Sequence, residues 1–171
     1  NVYVGDHAGY ASSSSSKSGN TFVGYQSGRH INGGNYNTAI GYRAGYSITN
    51  SNYNIMIGYE AGRSNYDGHS NIYMGYQSGY CHREGTYNIV IGYEAGRHMG
   101  KMVNSPHTDN SQHYHIFMGY KAGYSMYSGS DNIFIGRECG ESLYSGSSNT
   151  FMGYRAGRGT GGSNNTLLGC Q

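Results

Sequence analysis

Apolar residues in this chain come in bursts of three, each framed by polar residues and each closed by a glycine. Thr38-Ala39-Ile40, Ile55-Met56-Ile57 and Ile89-Val90-Ile91 are examples, each lying between an Asn and a Gly. Alignment on Asn-x-x-x-Gly divides the 171 residues into ten units that open at residues 1, 20, 37, 54, 71, 88, 115, 132, 149 and 165. The spacing is 17 in most units and 27 between Asn88 and His115, the one opening residue that is not Asn. With the opening residue as position 1, the consensus is Asn-[Thr/Ile/Val]-x-[Val/Ile/Met]-Gly-Tyr-x-[Ala/Ser]-Gly, followed by about eight mostly polar residues.

A 17-residue period is too short for a helix–turn–helix repeat, which needs more than ~30 residues. The recurrent glycines also break any helical run. Each β-branched triplet between Asn and Gly reads as a short strand. The pattern therefore predicts an all-β fold, a parallel β-solenoid or β-roll of ten coils of about 17 residues with no globular domain. Residues 98–114 are expected to bulge from the stack as a loop insertion, leaving the coils on either side paired. Stability in such a stack is passed from coil to neighbouring coil.

The alternation within each strand suggests which residues fill the coil. Positions 2 and 4 are compact and nearly uniform, so they are expected inside. Position 8 is always small (Ala44, Ser78, Cys139 among others) and is expected at the facing wall. Position 3 then points outward as an apolar ridge running from Tyr3 and Phe22 through Tyr73, Phe117, Phe134 and Phe151 to Leu167. A ridge of that length predicts an interface with other copies of the chain, and the Tyr at position 6 of seven units is a candidate for the same surface. The opening residues Asn20, Asn37, Asn54, Asn71, Asn88, Asn132 and Asn149 either stack as an amide ladder or serve as turn formers. Position 7 alternates in sign through Glu94, Lys121, Glu138 and Arg155, and position 10 alternates Tyr and Arg through seven coils. The second column suits cation–π stacking, with a generic solvated face as the alternative.

Composition narrows the function classes. The chain has 30 Gly, 20 Tyr, no Trp, one Pro and only 12% charged residues. That is unlike a charge-rich disordered tail. A net charge of +2 without a basic run gives no reason to expect nucleic acid or an anionic membrane as partner. No segment reaches the ~18 apolar residues of a membrane span. The absence of a signal-like segment, with Asn first, reads as a processed or excised piece.

NTFVGYQSG (20–28), NTAIGYRAG (37–45) and NTFMGYRAG (149–157) resemble the Asn-Thr-x-Ile-Gly-Tyr-x-Ala-Gly repeats of bacterial and phage fibre proteins. More distantly, they are similar to the head repeats of trimeric autotransporter adhesins. The resemblance covers the chain apart from 98–114 and implies a parallel β-roll, commonly left-handed and trimeric, on a cell surface or fibre.

Catalysis is not expected, because no nucleophile, metal-protease or phosphate-loop context is present, and no cofactor is implied. His98, His107, His113 and His115, with Met99 and Met102, are the metal-ligand candidates. The competing reading is a polar loop, with His115 standing in for a ladder Asn; it is favoured because no second close pair completes a tetrahedral set. Cys81, Cys139 and Cys170 lie too many coils apart to pair within one chain, which leaves Cys81 and Cys170 as candidates for bridges between chains. The expected function is a structural subunit of an extracellular fibre or filament, built by coil stacking at uncapped ends and by lateral packing as a homotrimer or filament. The alternative is a surface adhesin or receptor-binding module that uses its Tyr-rich faces on surface glycans. An ice-binding solenoid ranks last, since Thr occupies position 2 in only four coils.

Overall fold

The computed structural model describes residues 1–10, 17–100 and 112–170. Its strands are β1 Val2–Val4, β2 Thr21–Val23, β3 Thr38–Ile40, β4 Ile55–Ile57 and β5 Ile72–Met74. They continue as β6 Ile89–Ile91, β7 Ile116–Met118, β8 Ile133–Ile135, β9 Thr150–Met152 and β10 Thr166–Leu168. All ten form one parallel sheet in chain order. Like positions pair throughout: Thr38 with Ile55, Ala39 with Met56, Ile40 with Ile57. The 27-residue interval does not disturb this register, because Ile89, Val90 and Ile91 pair with Ile116, Phe117 and Met118. No helix is present among the described residues.

Hydrogen bonding from coil to coil continues beyond the strands. Gly75 donates its N–H to the Ile57 carbonyl (2.8 Å), Gln77 to Tyr59 (2.8 Å) and Gly79 to Ala95 (3.0 Å). Each coil thus satisfies its backbone on the coils before and after it, as a chain with so few apolar residues requires.

The facing of the strands is the reverse of the sequence expectation. Phe22, Ala39, Met56, Tyr73, Val90, Phe117, Phe134 and Phe151, all at position 3, are fully buried inside the coil. Positions 2 and 4 face outward and are half-buried or exposed. The proposed assembly face of Phe22, Tyr73, Phe117, Phe134 and Phe151 is therefore the core. The physical reason is the narrowness of the coil. A three-residue strand sends one side chain inward, and the opposite wall is the small position 8, where Ala44, Ala61, Ala95 and Ala122 are also fully buried. A Cβ added to Gly140 would lie 2.6 Å from the Phe134 ring, so the glycine at position 9 makes the floor on which that ring rests. Inside, rings stack along the axis: Phe117 on Phe134 at 4.8 Å and Phe134 on Phe151 at 5.0 Å between centroids.

A third inward column, absent from the sequence reading, lies at position 12: Ile31, Ile48, Asn65, His82, Met99, Met126 and Leu143, all buried. It completes the space that position 3 leaves. In the coil 37–53 the small Ala39 is joined by Ile48, whereas in 71–87 the Tyr73 hydroxyl meets Nδ1 of His82. Burial holds the His82 imidazole down to a pKa of about 3 and pushes the Tyr73 phenol up. Both groups are neutral in the folded coil.

Candidate assembly surface

The surface rests on the ladder that fixes each coil over the next. Oδ1 of Asn37 accepts both the backbone N–H (3.0 Å) and the side-chain amide (3.0 Å) of Asn54. The Asn54 amide also donates to the Gly68 carbonyl at the end of its own coil (2.8 Å). The same bonds recur at Asn20, Asn71, Asn88 and Asn149. One side chain thus ties coil to coil and closes its own turn, so its polar atoms are satisfied although it is buried. His115 reproduces the amide with an imidazole. Its backbone N–H donates to Asn88 Oδ1 (2.9 Å), its Nδ1 accepts the Asn132 N–H (3.2 Å), and its Nε2 faces the Gly129 carbonyl (3.0 Å). These partners require the neutral tautomer with the proton on Nε2, and burial lowers its pKa to about 4.

The other histidines do not converge. His98 lies against Arg97 (2.9 Å) and edge-on to Tyr124, while His113 Nδ1 accepts the Thr86 N–H (3.1 Å). His107 and Met102 lie outside the described residues, and Met99 is in the core. Among the described residues no group of three His, Cys, Asp or Glu is placed to hold a metal. No disulfide forms among the cysteines, and burial raises the Cys139 thiol to a pKa of about 11.

With position 3 inside, the outward side of the sheet carries two parallel columns. Thr21, Thr38, Ile55, Ile72, Ile89, Ile116, Ile133 and Thr150 form one, and Val23, Ile40, Ile57, Met74, Ile91, Met118, Ile135 and Met152 the other. A third lies beside them at position 6. Tyr25, Tyr42, Tyr59, Tyr76, Tyr93 and Tyr120 stack with centroids 4.8–5.4 Å apart and rings within 14° of parallel. In the next coil Arg137 takes the tyrosine's place, its guanidinium 5.8 Å from the Tyr120 ring and 5.4 Å from Tyr154. A planar cation thus continues an aromatic column.

Charges border this face. Glu138 accepts from Arg155 (2.6 Å) and from Arg137 (3.2 Å), and those hydrogen bonds hold its carboxyl below the ordinary value. Lys121 approaches Glu94 at 3.8 Å. Arg43, which precedes Glu60 in the same column, bonds Gln26 (2.9 Å), so the alternation of charge at position 7 is realised in part. At position 10, Arg63 lies 5.1 Å from the Tyr46 ring and 5.3 Å from Tyr80, and Arg97 lies 5.3 Å from Tyr80. These are the cation–π contacts that the Tyr/Arg alternation suggested.

Fold and surface together define a parallel β-solenoid with an apolar outer sheet face. Comparison with protein-family models, curated proteins and solved structures gives no match to the chain. No helix among the described residues is long and apolar enough to cross a membrane.

Proposed function

We propose that the chain is a structural, self-associating module of an extracellular fibre, and that its copies pack side by side through the outward columns at positions 2, 4 and 6. The observation that carries this reading is the continuous face from Val2 to Leu168, edged by stacked tyrosines and containing no charge at positions 2 and 4. A second copy is the fitting occupant because the face repeats at the coil spacing, so an identical face matches it coil for coil. At ~4.8 Å per coil and ~3.3 Å per residue the face measures roughly 43 Å by 13 Å. Two copies then bury about 1,100 Å², just above the ~1,000 Å² that a biological interface should clear.

The adhesin alternative draws less support. Within the tyrosine column each ring face is covered by the next ring at 4.8–5.4 Å, so the faces on which a sugar would stack are occupied. An ice-binding array is also weakly supported, since the outward Thr21 and Thr38 give way to Ile55, Ile72, Ile89, Ile116 and Ile133.

The double substitution Ile89→Lys, Ile91→Lys places two charges at the centre of the face without touching the core. In light scattering the unaltered chain is expected as an oligomer and the variant as a monomer with unchanged far-ultraviolet circular dichroism. An unaltered chain that is monomeric at all concentrations overturns the proposal.

A further inference from the structure

A different column, immediately before the ladder Asn, reads Gly19, Tyr36, Tyr53, Ser70, Tyr87, Tyr114, Asp131, Ser148 and Asn164. Every one of these residues has positive φ, 55–62° in the non-glycines. Bulky side chains are uncommon in that left-handed conformation, which favours Gly, Asn and Asp. Tyrosine nevertheless occurs here four times, always in adjacent coils. Tyr36 and Tyr53 stack at 5.2 Å and 5°, and Tyr87 and Tyr114 at 5.3 Å and 7°. The second pair meets although its members are 27 residues apart in sequence.

These four rings are 53–62% exposed, against 37–45% in the position 6 column.

We propose that Tyr36–Tyr53 and Tyr87–Tyr114 are oxidative modification sites, at which a peroxidase-type one-electron oxidant closes a dityrosine bond between neighbouring coils. Each phenol loses one electron and one proton to give a phenoxyl radical. The two radicals join through ring carbons ortho to oxygen, and the ortho hydrogens leave as protons while the oxygens are reprotonated and both rings regain aromaticity. Two electrons and two protons leave per bond, and they reduce one hydrogen peroxide to two waters. Parallel rings about 5 Å apart must tilt toward each other to bond. Their exposure leaves room for the tilt, and the hydrogen-bonded coils hold the partners together while both radicals form. The Tyr87–Tyr114 bond closes the coil that carries the insertion, acting on the unfolded chain as a disulfide of similar loop length does. This inference does not depend on lateral assembly.

The test treats the dilute protein with a haem peroxidase and hydrogen peroxide, then maps dityrosine peptides by mass spectrometry. The expected cross-links are Tyr36–Tyr53 and Tyr87–Tyr114. The variant Tyr53→Phe, Tyr114→Phe, which keeps both stacks, is expected to lose most of the dityrosine fluorescence. Absence of dityrosine overturns the proposal. So does coupling that follows exposure alone, with the 67% exposed Tyr10 reacting as readily as Tyr53, and so does a product map unchanged by prior unfolding in urea.

Discussion

Replacing Phe134 by Ala is expected to destabilise the solenoid by about 3–5 kcal/mol, the usual cost of removing a fully buried phenyl ring. Phe134 has no exposed surface and stands between Phe117 at 4.8 Å and Phe151 at 5.0 Å. Its loss removes two stacking contacts as well as apolar burial. The narrow coil offers little to refill the space, because the facing position 8 residue is Cys139, itself buried and donating to the Phe151 carbonyl at 3.2 Å. Denaturant unfolding followed by circular dichroism measures the effect. A change within about 0.5 kcal/mol, typical of surface sites, would mean that position 3 faces solvent.

The second large effect is expected at Gly58→Ala. Gly58 has φ +132°, and a Cβ there would lie 2.5 Å from the Gly75 carbonyl oxygen. That oxygen cannot retreat, because neighbouring bonds such as Gly75 N–H to Ile57 (2.8 Å) fix the coil spacing. Backbone strain and overpacking together cost roughly 2–6 kcal/mol. Gly169→Ala separates the two contributions, since Gly169 stands in the same column at φ +125° with nothing within 4 Å of an added Cβ. It is expected to lose only about 1–3 kcal/mol, the strain alone. Equal losses at both glycines in thermal or urea melts would show that close coil approach is not what selects glycine at position 5.

Much of this architecture was legible in the sequence, because a solenoid writes its period directly into the chain. The Asn and Gly columns set the register, and His115 fell into line with Asn88 and Asn132 because the spacing after it returned to 17. The facing of the strand was not legible. A three-residue strand offers two residues on one side and one on the other. The uniform pair at positions 2 and 4 looked more like a core than position 3, which ranges from Ala39 to Tyr73. Uniformity at those positions reflects β-branched residues suited to a pleated outer surface. The variation at position 3 is not mirrored by an opposite change at position 12, since Phe22 and Ala39 both share their coils with a buried isoleucine, Ile31 and Ile48. Position 12 left only a lone residue in each polar tail, and Asn65 and His82 among these are themselves polar. The tyrosines at positive φ had no local signal either, since propensity argues against them; only their place before the ladder Asn marks them.

The central claim, that the outward sheet face is the surface through which copies pack, is tested most directly by methionine oxidation. Met74, Met118 and Met152 are 37–42% exposed on that face, while Met56 and Met126 are fully buried in the coil. Peroxide converts accessible methionines to sulfoxides, and mass spectrometry reads each site. In the monomeric Ile89→Lys, Ile91→Lys variant, Met74, Met118 and Met152 are expected to oxidise quickly, and Met56 and Met126 slowly. In the assembled unaltered chain all five are expected to be protected. If Met74, Met118 and Met152 oxidise as quickly in the assembled chain as in the variant, the face is not the packing surface and the account of assembly fails.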